Sequence, residues 1–242
     1  MDEREWLTCA DPEAMIRFLE GKATGRKWRL VAFACVQRVV TERRLQAEIG
    51  SREPRWKAII KLVEEFIEGH ASRVDLAGMH ESCRLGVLSF LTEPPSVAGS
   101  YMAWRTSVEA AFVSSWTIPN YETGPQPNRF YRARTEAPRE RRKATERRAQ
   151  CDLFRCVFGH LFWQDSILDD TVLDPAILQW NDGTVRRIAQ AIYDQRAFSH
   201  MPILADALED AGCDNADILN HCRNGGEHVR GCWVVDLLLG KS

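Results

Sequence analysis

An excess of either sign of charge is almost missing from this sequence as a whole. Thirty-two lysines and arginines stand against 34 aspartates and glutamates, a net charge of −2. No global field therefore steers the chain toward nucleic acid or an anionic membrane. Long apolar runs are absent too, and no window approaches the ~20 apolar residues that a membrane span needs. The opening MDEREW is acidic and lacks an apolar core, so no export leader is expected there. The eight cysteines include no CxxC pair. Scattered along a chain of 242 residues, they read as reduced thiols in a cytoplasm, most of them small core hydrophobes. No alternating apolar run bounded by a hairpin turn appears, so a sheet is unsupported. There is no Walker loop, GxGxxG or GxSxG, no internal repeat and no low-complexity tract.

What is present is helical periodicity. Asp11-Pro12 reads as a cap followed by a first-turn proline, with Met15, Phe18 and Leu19 as the buried face and Gly21 as the stop. Residues 26–40 are apolar nearly all round, the pattern of a central helix. Pro54 opens an amphipathic helix with Trp56, Ile59, Ile60, Val63, Phe66 and Ile67 on one face and Lys57, Lys61, Glu64, Glu65 and Glu68 on the other. Further helices are expected over 81–91 and 101–116. The pattern lapses from Thr117 to Pro138, which holds four prolines. Arg139 then begins a charged helix that turns apolar, and 163–180 reads as irregular but packed.

The stretch from Gly183 to Lys241 is the most legible. Thr184 is expected to cap a helix with Val185, Ile188, Ala189 and Ile192 buried. Pro202 suits a first turn, with Ile203, Leu204, Ala207 and Leu208 as the next stripe and Gly212 as a left-handed stop. Asp214 with Asp217 resembles a capping box for a short helix through Ile218 and Leu219. Residues 228–239 then read as a closing apolar helix. The expectation is an all-α, irregular multi-helix bundle: an N-terminal helical half over 1–118, a proline-rich connecting loop over 119–138 and a C-terminal half over 139–242.

Three constellations are candidates for chemistry. His228 and Cys232 would share a face of a terminal helix, and with Cys222 they form a candidate zinc site. His221 and Cys213 are near enough in sequence to add ligands. The bland alternative is a buried thiol beside Trp233 and a capping histidine. Second, Arg129, Arg132, Arg134, Arg139, Arg141, Arg142, Lys143, Arg147 and Arg148 face only Glu136, Glu140 and Glu146, with Phe130 and Tyr131 at the edge. Such a cluster suits phosphates and stacking on bases, or equally an acidic partner or a solvated helix face. Third, His80-Glu81-Ser82-Cys83 fails the zincin pattern because position 84 is Arg, and it lacks the PCxxC of a deaminase. Asp169-Asp170 and Asp206, Glu209, Asp210 read as caps and solvated faces. Asp236 lies in an apolar stretch and calls for a partner such as Arg230.

The segments EWLTCADPEAMIRFLEGKATGRKWRLVAFACVQRV, WNDGTVRRIAQAIYDQRAF, MPILADALEDAGC and HVRGCWVVDLLLGK resemble a paralogue-rich family of uncharacterised planctomycete-type bacterial proteins. The resemblance covers about 35 residues at the N-terminus and about 65 at the C-terminus. It implies fixed ends around a variable middle, as in a scaffold presenting different recognition surfaces. Taken together, the expectation is a non-enzymatic cytoplasmic adaptor or accessory module that binds another protein. It carries no cofactor unless zinc sits at the C-terminus, and nucleic-acid association through the basic segment is the alternative.

Overall fold

A computed structural model describes residues 1–41, 53–72, 75, 129–159, 173–224 and 226–241. Among the described residues the chain is all-α, with no strand. The expected helices over 81–91 and 101–116, the first part of the proline-rich connection over 119–128, and His80-Glu81-Ser82-Cys83 lie outside those residues. The helices are α1 (Glu3–Thr8), α2 (Pro12–Leu19), α3 (Gly25–Thr41), α4 (Glu53–Ile67) and α5 (Arg129–Phe158), then α6 (Pro175–Gln195), α7 (Met201–Asp210), α8 (Ala216–Arg223) and α9 (Trp233–Leu239), with a 3-10 turn over Phe198–His200.

The fold separates into two compact units. One is Ala10–Cys151; the other joins Met1–Cys9 to Asp152–Ser242. In the first, Asp11 caps α2 by accepting from the Glu13 amide at 3.0 Å, and Pro12 sits in the first turn. Met15, Ile16 and Leu19 are buried, and so is every residue from Leu30 to Cys35 of α3. Burial of six consecutive residues means the helix is covered on all sides, as its unbroken apolar pattern predicts. On α4, Val63 and Ile67 are buried, but so is Glu64, which the pattern assigns to the wet face. Ion pairs fasten this unit: Arg26 to Glu68 at 3.4 Å, Arg38 to Glu146 at 3.3 Å and Arg147 to Asp11 at 2.6 Å.

Helix α5 starts at Arg129, so the second part of the expected connection, 129–138, is helical. Its last turns belong to the other unit, where Leu153, Phe154, Cys156 and Val157 are buried. There the Arg155 guanidinium donates to the carbonyls of Trp6, at 3.1 Å, and Cys9. This ties α1 to the end of α5.

The C-terminal core is built from α6 to α9. Val185, Ala189 and Ile192 of α6 meet Met201, Leu204 and Leu208 of α7, Ile218 and Cys222 of α8, and Val234, Val235 and Leu238 of α9. Several local expectations are corrected. The 163–180 stretch reads as irregular in sequence, yet α6 begins at Pro175, with Asp174 capping it at 2.8 Å to the Ala176 amide. A left-handed turn then interrupts it, with φ of 47° at Asn181, 54° at Asp182 and 74° at Gly183. Asn and Asp tolerate that region better than other residues with a side chain. Thr184 therefore does not accept a cap hydrogen bond; its hydroxyl donates to the Asn181 carbonyl at 2.7 Å. Arg187 fastens the turn through the Asn181 and Asp182 carbonyls and the Thr184 hydroxyl.

Pro202 does stand in the first turn of α7, but Ile203 is 54% exposed and leaves the stripe. Gly212 ends α7 at φ +91°, with the Cys213 amide returning to the Leu208 carbonyl at 2.9 Å. Asn215, not Asp214, caps α8, accepting from the Asp217 and Ile218 amides at 3.1 Å each. The last helix is shorter than its apolar pattern suggests. It begins at Trp233, because Gly231 has φ +91° and Cys232, at φ −47° and ψ 125°, is not helical.

Candidate metal centre

Four side chains from three separate stretches converge beside the C-terminal core. Cys156 lies on the last turn of α5, which Gly159 closes in a left-handed conformation, its amide reaching the Arg155 carbonyl at 3.0 Å. His221 projects from α8, and its chain neighbour Cys222 turns into the core. His228 sits in the non-helical link after α8. Cys232 is the residue before α9, its amide bonded to the Val229 carbonyl at 2.9 Å. The link can bend back because Gly231 supplies the left-handed backbone that the turn needs.

The donor atoms of Cys156, His221, His228 and Cys232 all lie within 4.8 Å of one another. His221 Nε2 is 3.3 Å from Cys232 Sγ, while His228 Nδ1 is 3.9 Å from Cys232 Sγ and 3.8 Å from Cys156 Sγ. The imidazoles meet edge to face at 4.9 Å between centroids, and the Trp233 ring packs 5.4 Å from that of His221. Both thiols are fully buried and both imidazoles half-buried.

The surroundings of Cys232 favour the ionised form of its thiol. Burial pushes the Cys232 thiol up, but its contacts with Cys156, His221 and His228 outweigh that and hold it well below its ordinary value of 9.0. Burial likewise pulls His228 down, yet the hydrogen bond and charge of Cys232, aided by the Asn224 backbone, leave it raised above 6.5. Its Nε2 is buried without a well-formed hydrogen bond. Cys222 behaves in the opposite way: burial raises its thiol far above the usual range, the signature of a neutral core residue.

The candidate trio read from sequence is thus only partly assembled. His228 and Cys232 come together, through a bent link and not along one helical face. Cys222 and Cys213 are core residues outside the four-donor group. His221, considered as a further ligand, joins. Cys156 reads in sequence as a core hydrophobe, and no local pattern ties it to residues more than sixty positions later.

The basic residues 129–148 all fall on α5. Arg141 and Arg148 are exposed, whereas Arg147 is held by Asp11 at 2.6 Å and lies 4.0 Å from Glu13. Asp206 and Glu209 are exposed and pair with Arg223, as expected of a solvated face. Asp236 is 2% exposed; Arg230 lies with its guanidinium 4.6 Å over the Tyr193 ring. No described helix is long and apolar enough to cross a membrane. No known protein family, curated protein or solved structure matches the chain.

Proposed function

We propose that the chain is a non-catalytic helical module that acts by binding another macromolecule, a protein first of all. The observation that carries this reading is the character of the four-donor cluster. A catalytic metal centre keeps one position open for water or substrate, whereas two thiols and two imidazoles closing on one point leave none. The same groups, buried and engaged with one another, are poorly placed for nucleophilic attack. Chemistry of this kind serves the fold and leaves recognition to the exterior. The seven cysteines among the described residues form no disulfide, which suits a reducing cytoplasm.

The test is capture of the tagged full-length chain in its native host, followed by reconstitution of each enriched protein from purified components. A stoichiometric complex with at least one of them is expected; enrichment that never survives purification would contradict the proposal.

A second reading, nucleic-acid association, is favoured by the exposed Arg141 and Arg148 on α5. It predicts binding to a duplex that weakens steeply as salt rises. Reversing both charges should remove most of that dependence, and an unchanged salt slope would dispose of the idea.

A further inference from the structure

We infer that Cys156, His221, His228 and Cys232 are the ligands of a structural zinc ion that clasps the end of α5 to the C-terminal segment. With Zn–S bonds of about 2.3 Å and Zn–N bonds of about 2.0–2.1 Å, a tetrahedron has S···N edges of about 3.5 Å and an S···S edge of about 3.8 Å. Three of the four S···N separations are 3.3, 3.8 and 3.9 Å, and the remaining pairs are within 4.8 Å. The donors already stand close to the corners of that polyhedron. Small side-chain rotations close the rest.

The donor types narrow the ion. Two thiolates and two imidazoles in a tetrahedral arrangement suit zinc, while calcium and magnesium call for oxygen. Charge agrees with burial: one divalent ion and two thiolates sum to zero, so nothing uncompensated is left inside. On binding, each thiol gives up its proton, both imidazoles bind as neutral rings, and two protons leave for each zinc taken up by the neutral groups. Bound through Nδ1, His228 keeps its proton on Nε2, the buried ring nitrogen that faces away from the ion.

The chain itself supplies a contrast. Cys213 and Cys222 are buried in the same apolar core as Cys156 and Cys232, yet they belong to no donor cluster. The order of the ligands explains the purpose. His221, His228 and Cys232 fall within one short stretch, whereas Cys156 comes from a helix end 65 positions before His221. One ion therefore joins elements that chain connectivity holds apart.

The zinc site uses the same four donors as the proposed function but does not depend on partner binding, and the two can fail separately. The test is the zinc content of full-length protein purified without immobilised metal, after growth with added zinc. One zinc per chain is expected, kept by Cys222→Ser and reduced at least tenfold by Cys156→Ser or Cys232→Ser. To guard against variants that fail to fold, cobalt(II) is also exchanged into the wild-type chain, where thiolate-to-cobalt charge transfer and tetrahedral ligand-field bands are expected. Folded wild-type protein with less than about 0.1 zinc per chain and no such bands would overturn the assignment. So would loss of the ion from Cys222→Ser with Cys156→Ser unaffected, or a Cys156–Cys232 disulfide in place of the ion.

Discussion

Gly159 offers the sharpest test of the way the helix end and the donor cluster are built together. It has φ +60°, and a Cβ placed on it would lie 2.5 Å from Cγ, 2.8 Å from Cδ2 and 2.9 Å from Cβ of Trp233. Carbon atoms in contact ordinarily stand about 3.5–4.0 Å apart. The atoms that are struck lie at the root of the Trp233 side chain, so relief requires moving the start of α9 and with it Cys232. Gly159→Ala therefore incurs two costs. Holding alanine in the left-handed region costs about 1–2 kcal/mol. Overpacking against Trp233 adds about 1–3 kcal/mol, for a total of about 2–5 kcal/mol. Gly212 provides the control, because it too is left-handed, at φ +91°, but a methyl group added to it would meet nothing within 4 Å. Gly212→Ala should show only the backbone cost. The assay is urea unfolding of both variants followed by circular dichroism, with zinc content measured in parallel. Gly159→Ala should be the less stable of the two and the weaker zinc binder. Equal destabilisation would refute the crowding of Gly159 against Trp233, and unchanged zinc affinity would separate that contact from the donor cluster.

Leu204 is fully buried in the C-terminal core, so Leu204→Ala should cost about 2–5 kcal/mol in chemical denaturation, whereas the exposed Ile203→Ala should cost far less. Zinc-free protein should show a stability that depends on pH through the Cys232–His228 pair. The raised pKa of His228 gives a contribution that is complete below 6.5 and lost as pH rises through the folded value. The lowered pKa of Cys232 gives one that is complete above 9.0 and lost as pH falls through the folded value. His228→Ala should remove the loss of urea midpoint on the alkaline side, and Cys232→Ser the loss on the acid side. Arg147→Ala removes a partly exposed pair with Asp11 and should cost no more than about 1 kcal/mol in thermal unfolding. A larger loss would mean that this pair does more than a surface contact does.

Much of the fold is legible in the sequence because its signals are local. Asp11-Pro12, Pro202 and Gly212 each act through their own backbone geometry, and each stands where the sequence places it. Asp174-Pro175 carries the same signal as Asp11-Pro12 and starts a helix, but the left-handed turn over Asn181, Asp182 and Gly183 cuts its stripe short. Glu64 and Ile203 depart from their stripes because burial is decided by what packs against a helix as well as by its own periodicity. The terminal helix is shorter than its apolar run because such a run does not reveal the positive φ of Gly231. His228 and Cys232 consequently meet across a bend, although helical spacing alone would have put them on one face. The four-donor cluster is half visible: His221, His228 and Cys232 are close in sequence, whereas Cys156 reaches them only through tertiary packing. Within LFRCVFG it reads as one more apolar position.

X-ray absorption at the zinc edge of the purified wild-type chain tests the central claim most directly. Two sulfur scatterers at about 2.3 Å and two nitrogen scatterers at about 2.0–2.1 Å are expected, with no oxygen ligand. A first shell of oxygen and nitrogen without sulfur would contradict the four-donor zinc clasp, as would three or more sulfurs, which would bring Cys222 or Cys213 back in place of a histidine.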